Sequence, residues 1–278
     1  MRIAIVGAGG FIGKPLTAQF IAAGHEVIAI GRDNAGHVEP VDVVVHLLLF
    51  NECDARAALA RWRRQAGRFV AISSGDVYRV YGQLHGTEPW DGRQPPPLDE
   101  DCPLRTKLYP YTRSTPSPWG MLVDYEKILV ERALPDAVIL RLPKVYGPGD
   151  RNRTFAREIA EREARIDEGL ARWRWTHGFV DDVAAAIALA ARHPRAAGRI
   201  YNVGECETPT VSERLARFGV RVTIEPGGAP RPDLVMDTRR IRDELGFVEI
   251  SPDPQARTVS AYATHIPAGG QGGAASRT

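Results

Sequence analysis

Apolar residues in the first part of the chain fall into short unbroken runs separated by stretches with helical spacing. RIAIVG (2–7), EVIAIG (26–31), DVVVHLLL (42–49) and RFVAISS (68–74) read as strands. Successive strand side chains point to opposite faces, so an unbroken apolar run suits a strand buried on both sides. KPLTAQFIAAGH (14–25) and ARAALARWRRQA (55–66) carry apolar residues at helical spacing, with Gly24 placed to end the first helix. VDYEKILVERAL (123–134) predicts another helix, and AVILRLPKVYG (137–147) a strand running into a loop. Strand and helix alternate throughout, which predicts an α/β fold with a parallel sheet covered on both faces.

Two segments break the pattern. Only ten residues, 32–41, join the second and third strands, so one element of the crossover is expected to be reduced there. Residues 78–119 are rich in Pro and Gly, and a loop of that length in a compact domain is expected to be functional or mobile. The Gly/Ala-rich end, 267–278, is expected to be disordered. The organisation expected is a single domain over 1–266. Its nucleotide-binding part takes in about 1–147 and 176–204, and a small C-terminal substrate lobe about 148–175 and 205–266.

Composition excludes more than it assigns. A chain of 278 residues with a net charge of +2 gives no general electrostatic reason to bind nucleic acid or a membrane surface. The basic run RWRRQAGR (61–68) reads as a solvated helix face. Cys53, Cys102 and Cys206 lie far apart, with no pair spaced for zinc or a disulfide framework, so no metal site is expected. No apolar run approaches the ~20 residues of a membrane span, and the N-terminus lacks the pattern of a secretory signal. The expected location is cytoplasmic.

GAGGFIG (7–13) places Gly7, Gly10 and Gly13 between a predicted strand and a predicted helix. That context suits a dinucleotide. One glycine makes the tight turn, one admits the pyrophosphate to the backbone, and one lets the helix pack on the sheet. The helix N-terminus then faces the anion. The spacing GxxGxxG resembles that of the extended short-chain dehydrogenase/reductases, the NAD-dependent epimerase/dehydratase group. Further similarities follow in order: DVVVHLL, FVAISSGDVYRVYG, LRLPKVYGPGD, FVDDVAAAIALA, RIYNVG and RPDLVMDTRRIRDELGF. The resemblance implies a Rossmann-type doubly wound fold and an NAD(P) cofactor. It implies cofactor contacts from Phe11 and Ile12 in the loop, Leu47 on the third strand, and Pro143 and Val145 beside the nicotinamide. Such proteins often dimerise through a helix pair that includes the lysine helix, so a homodimer is a possible assembly.

NAD binders usually carry Asp or Glu at the end of the second strand, on the ribose 2′-OH. Here Gly31 and Arg32 stand there, and a guanidinium suits a 2′-phosphate, which favours NADP. Asp33 is the rival that would favour NAD.

In the family this chain resembles, Tyr and Lys lie four apart on one helix, with a Ser or Thr on the neighbouring strand. Lys127 matches the lysine and Ser74 the serine, but Val123 stands where the tyrosine belongs. Three replacements are open. Tyr111, in YPY, could fold back toward Lys127. Tyr125 lies two residues from Lys127, about 200° around a helix, and so would face away. Asp76 or Tyr78, after Ser74, could supply another acid. The resemblance also implies two arginines for a substrate diphosphate. Arg231 matches one, while Arg174 is one position off the other, with Trp175 at the matching place. The lobe there is short, so a smaller substrate facing Trp173 and Trp175 is also open. His177 reads as a loop hydrogen-bonder, and the adjacent Asp181 and Asp182 as N-caps.

The function expected is an NAD(P)-dependent oxidoreductase, epimerase or dehydratase. It would act on a carbinol or carbonyl carbon of a sugar-nucleotide-like or small-molecule substrate, with an atypical proton donor. The alternative is an NADP(H)-binding non-redox isomerase, or a regulatory or scaffold protein.

Overall fold

The middle residues of the central strands are buried on both faces of the sheet, which accounts for the apolar runs. The computed structural model describes residues 1–31, 39–111 and 123–263. Its elements are β1 (Arg2–Val6), α1 (Gly13–Ala22), β2 (Glu26–Ile30), β3 (Val41–His46), α2 (Glu52–Trp62), β4 (Ala66–Ser74), α3 (Arg79–Leu84), α4 (Lys127–Ala133), β5 (Val138–Leu142) and β6 (Lys144–Tyr146). They continue with α5 (Ala156–Glu161), β7 (Glu163–Asp167), α6 (Glu168–Arg172), β8 (His177–Phe179), α7 (Val180–Arg192), β9 (Ile200–Asn202), α8 (Val211–Arg217), β10 (Arg221–Glu225), α9 (Arg239–Leu245) and α10 (Pro254–Ala263). The main sheet has the order β2-β1-β3-β4-β5-β9, with every pairing parallel.

Ile3, Ile5, Val43, Val45, Val70 and Ile72 face one way and meet Leu16 and Phe20 of α1 and Val183 and Ile187 of α7. Ala4, Val44, Ala71 and Ile139 face the other way, onto Ala55, Ala58 and Trp62 of α2 and Val130 of α4. Alternate residues of each strand therefore serve different layers, as a doubly covered parallel sheet requires. A separate core around Tyr146, Trp173, Phe179, Leu215 and Phe218 fills the lobe beside the sheet, where β7 pairs β10 and β6 pairs β8.

The strand expected over 137–147 is two strands in two sheets. β5 ends at Leu142, and Lys144 restarts in the pair with β8. Pro143 between them has no N–H to continue the first ladder. The short 32–41 connection takes the chain from β2, at the sheet edge, across β1 to β3 on its other side. Among the described residues no strand flanks β2 on its outer side. Arg32 and Asp33 lie outside the described residues, as does the 267–278 tail.

Residues 78–111 are better tied down than their composition suggests. They include α3, an isolated bridge from Tyr78 to Leu104, and backbone hydrogen bonds from Arg79 to Pro103 and from Leu98 to Val235. Beneath them Arg141 forms a bidentate pair with Glu131 (3.0 and 2.8 Å) and donates to the Tyr78 hydroxyl at 3.0 Å. Tyr78 in turn donates to Asn202 at 2.7 Å. Tyr78, a candidate acid, is thus a fully buried structural residue.

The lysine helix also departs from expectation. It begins at Lys127, not 123, with Val123 in a turn and Glu126 as N-cap. Asp181 and Asp182 are not N-caps either. Phe179 holds that position, Asp182 accepts the amides of Ile250 and Ser251 at 2.8 Å, and Asp181 pairs with Arg257 at 2.7 Å. Among the described residues no helix is long and apolar enough to cross a membrane.

Gly13 is the tightest point of the glycine loop. A Cβ there would lie 2.2 Å from the Gly7 carbonyl oxygen, a backbone atom that cannot rotate away. Gly13→Ala is expected to cost roughly 2–3 kcal/mol of unfolding free energy in urea titration, at the upper end of overpacking costs. A variant as stable as the parent would contradict this packing.

Candidate active site

A cavity of about 970 Å³ lies at the carboxyl ends of the strands, bordered by the glycine loop after β1, Leu47 after β3, Ser74 at the end of β4 and Pro143 after β5. This is where open α/β sheets take ligands, at the point where the strand order reverses about β1. Gly7 adopts a φ of 93°, in the left-handed region that favours glycine. Gly10 N–H donates to its carbonyl at 3.0 Å. No side chain caps the first turn of α1, so its end is left for a ligand. Gly7, Gly10, Phe11, Ile12 and Gly13 all line the cavity. Val145 does not; it packs against the main core.

At the other end of the cavity polar groups gather around Ser74. A single 3₁₀ turn, Gly75–Val77, follows β4 and turns Asp76 inward beside it. Asp76 is buried; its Oδ2 accepts from the Tyr111 hydroxyl at 3.1 Å, and its Oδ1 has no hydrogen-bond partner. The Tyr81 and Tyr111 hydroxyls are 3.0 Å apart. The Tyr125 side chain lies close enough to Ser74 and Asp76 for both to bear on its ionisation, and all three border the cavity. The rings of Tyr111 and Tyr125 meet edge to face, with centroids 5.3 Å apart. Ser74, Asp76 and three tyrosines thus form one connected polar group on the cavity wall.

Tyr125 reverses a sequence expectation. A helix through residue 125 would turn Tyr125 away from Lys127. Because α4 starts two residues later, Tyr125 lies outside the helix and borders the cavity. Tyr81, in the VYG that follows the serine strand, was not singled out at all.

Burial sets the electrostatics. It raises the Asp76 carboxyl above its ordinary range, against the opposing pull of Arg105 and Lys127. It holds Tyr125 well above an ordinary phenol and Tyr111 likewise, Asp76 adding to both, and it lifts Tyr81 to about 12. All three phenols are therefore neutral, proton-bearing groups near neutral pH.

Lys127 sits behind this group. Its ammonium donates to the carbonyls of Leu49 and of Ile72 (2.9 Å to the latter) and lies 5.4 Å from the Tyr125 ring centroid. It does not line the cavity. Two backbone carbonyls thus take two of the three protons of the ammonium.

The arginines expected for a substrate diphosphate also lie elsewhere. Arg174 donates to the Thr208 carbonyl at 2.8 Å, and Arg231 stacks over Trp173 at 5.9 Å. Neither borders the cavity, whose wall here is formed by Phe50, Leu98, Trp175, Leu234 and Met236. Lys144 does border it, 5.8 Å above the Trp175 ring, its pKa lowered by burial, and Lys14, Arg151 and Arg257 line the same cavity. His177, read as a loop residue from the sequence, is instead buried in β8, where its Nδ1 donates to the Trp175 carbonyl at 2.6 Å. Among the described residues no cluster of His, Cys, Asp or Glu could hold a metal ion.

A Rossmann-type sheet, a glycine loop and a serine–tyrosine group at one cavity define a nucleotide-binding enzyme fold. Residues 49–204 match the model of the NAD dependent epimerase/dehydratase family. The chain belongs to that family and is an enzyme. It is 25% identical to the spore coat polysaccharide biosynthesis protein SpsK of Bacillus subtilis, over 88% of this chain and 92% of that protein. It is 29% identical to a probable dTDP-4,6-dihydroxy-2-methyloxan-3-one 4-ketoreductase of Streptomyces antibioticus, over 82% of this chain and 79% of that one. Among solved structures, MoeE5 in complex with UDP-glucuronic acid and NAD superposes with a TM-score of 0.69 at 20% identity, covering 96% of this chain and all of that one.

Burial lowers the Lys127 pKa from an ordinary 10.5 to about 8. Between those values the unfolded chain binds more protons than the folded one, so stability rises with pH across that interval. Relative to Lys127→Met, the wild type should gain on the order of 1–3 kcal/mol between pH 8 and 10 in urea denaturation. A difference that does not change with pH would show that the amine is solvated.

Proposed function

We propose that this chain is an NAD(P)-dependent oxidoreductase, epimerase or dehydratase acting at a carbinol or carbonyl carbon, with Tyr125 in the place of the missing helical tyrosine. The observation that carries the reading is the convergence of Tyr125, Ser74, Asp76 and Tyr111 on the wall of the cavity that begins at the glycine loop. The cradle suits a dinucleotide: Gly7 and Gly13 occupy positions where a side chain would be strained or would collide with backbone. Gly10, Phe11, Ile12, Leu47 and Pro143 would hold it, and a bound nicotinamide supplies the hydride donor or acceptor.

The protein's own groups manage the substrate oxygen. Ser74 hydrogen-bonds it. Tyr125 gives its phenolic proton as negative charge develops there, or takes one in the reverse direction. Asp76, linking Tyr125 to Tyr111 and through it to Tyr81, offers a path for the replacement proton. Lys127 supports the Tyr125 phenolate as a nearby cation behind the ring. Arg32, next to the second strand's end, favours NADP over NAD through the charge of a 2′-phosphate.

The relatives' names point to sugar nucleotides, and the reacting carbon on this reading belongs to a molecule of that kind. A second reading is favoured by one observation: Arg174 and Arg231 are engaged away from the cavity, while Trp175, Leu234 and Met236 border it. That wall suits a smaller carbonyl compound with a flat apolar body.

Two measurements test these readings. Calorimetric titration with NADPH and NADH should show NADPH binding that weakens about tenfold or more in Arg32→Ala, the cost of one charge-assisted contact. Turnover should then be screened against dTDP-linked ketosugars and aryl ketones. With whichever is reduced, Tyr125→Phe should lower kcat by about 10²–10⁴ and leave the NADPH Kd unchanged. If Tyr125→Phe keeps its rate and Tyr111→Phe loses it, Tyr111 is the donor. If neither nucleotide binds, the oxidoreductase reading fails.

A further inference from the structure

The extended chain that carries Tyr125 is held from one side by a buried ion pair. Arg105 and Glu126 meet at 3.0 Å, and both side chains are 0% exposed. Each makes further bonds that reach the site. Arg105 donates through Nε to the Asp76 carbonyl at 2.5 Å and through Nη1 to the Lys107 carbonyl at 2.7 Å. Its backbone N–H donates to the Val77 carbonyl at 2.8 Å. The Glu126 carboxylate accepts the amide of Ile128, which starts α4, at 2.9 Å, and the amide of Tyr109 at 2.6 Å. Its backbone N–H donates to the Phe50 carbonyl at 2.8 Å.

These bonds join four segments: the turn after β4, residues 105–109, the residues after β3, and the start of α4. The residue before Glu126 is Tyr125, and two residues after Tyr109 comes Tyr111. We propose that the Arg105–Glu126 pair is a positioning device, which sets the contacting rings of Tyr125 and Tyr111 beside Asp76 and takes over the role that an unbroken helix through residue 123 would otherwise have. The inference rests on the proposed function only in the importance it gives to these two phenols.

The geometry explains why both partners are needed. Glu126 alone would be a buried carboxylate without a counter-charge, and Arg105 alone a buried guanidinium. With both present, the carboxylate orients the backbone amides of Tyr109 and Ile128, and the guanidinium orients the backbone carbonyls of Asp76 and Lys107. An apolar pair of the same bulk could fill the space, but it could not fix the direction of a single backbone amide or carbonyl. The groups that face the phenols from the packed elements are Asp76, Ser74, Tyr81 and Lys127. None of them restrains the backbone on either side of residue 125 as Glu126 does.

The test reads the phenols directly and needs no substrate. The full chain would be labelled with ¹³C at the tyrosine ring carbon that bears oxygen and followed by NMR from pH 7 to 11. Tyr111 and Tyr125 are assigned from their Phe variants. In the parent neither resonance should titrate in that range. In Glu126→Gln, and in the paired Arg105→Met/Glu126→Leu variant that leaves no charge unmatched, both should titrate near about 10, as solvated phenols do. Tyr146 and Tyr201, far from the pair, should stay unshifted and so report that the fold is intact. If the single variant disturbs Tyr146 and Tyr201 as well, the paired variant decides. Folded variants whose Tyr111 and Tyr125 remain as in the parent would overturn the proposal. Absence of NADPH binding or turnover would defeat the proposed function and leave this measurement unaffected.

Discussion

A carboxylate and a guanidinium removed from water survive in a protein only if each finds nearly all its hydrogen-bond partners. Arg105 and Glu126 meet that condition, and much of the site follows from how they do so. Satisfying Glu126 requires the lysine helix to begin at Lys127, because the carboxylate occupies the amide that an earlier turn would have used. Satisfying Arg105 draws the turn after β4 and the following loop together, which brings Asp76 under Tyr111. The desolvated character of Asp76, Tyr111 and Tyr125 comes from the same closure. Polar groups crowded on one small patch would otherwise be wetted and lose the coupling between them.

The sheet was readable in the residues because burial on both faces leaves the middle of a strand such as β3, Val43 to Val45, with no room for polar side chains. The glycine loop was readable because Gly7 and Gly13 answer to local sterics. The start of α4 was not readable. Apolar spacing in VDYEKILVERAL fits a helix from its first residue, and only a partner 21 residues away, Arg105, explains why Glu126 caps it instead. The same limit applies to Tyr78 and Tyr81. Three positions separate them, and the pattern gave no means to tell that the first turns under the loop onto Asn202 and the second into the cavity. Ser74, Asp76 and Tyr111, all singled out by their places in the sequence, border the cavity, whereas Arg174 and Arg231 are held away from it by loop and side-chain contacts that no local spacing reveals.

The cavity thus combines two characters. Its nucleotide end follows the sheet edge closely, since backbone from β1, β3, β4 and β5 builds it. Its far end is built from side chains of loops and of the lobe, where Trp175 pairs through an isolated bridge with Leu234 and where Met236 reaches back over Gly75. A Cβ on Gly75 would come within 2.9 Å of the Met236 sulfur, so the turn that aims Asp76 and the wall that faces the substrate are packed against one another. Changes in substrate wall and changes in acid placement are therefore coupled through a single contact.

The packing of α1 against α7 carries a consequence for how the molecule is made. Gln19, on the helix that follows the glycine loop, donates to the carbonyl of Asp181, 162 residues later in the chain. The loop leaves the ribosome well before the surface that supports its helix, which is 162 residues further along the chain. Closing so long a stretch of chain is entropically slow, and parallel neighbours add to the delay because each needs a crossover. During that interval α1 keeps Leu16 and Phe20 uncovered by α7. The nascent chain is then a natural client for chaperones, and its exposure to aggregation ends only when α7 docks.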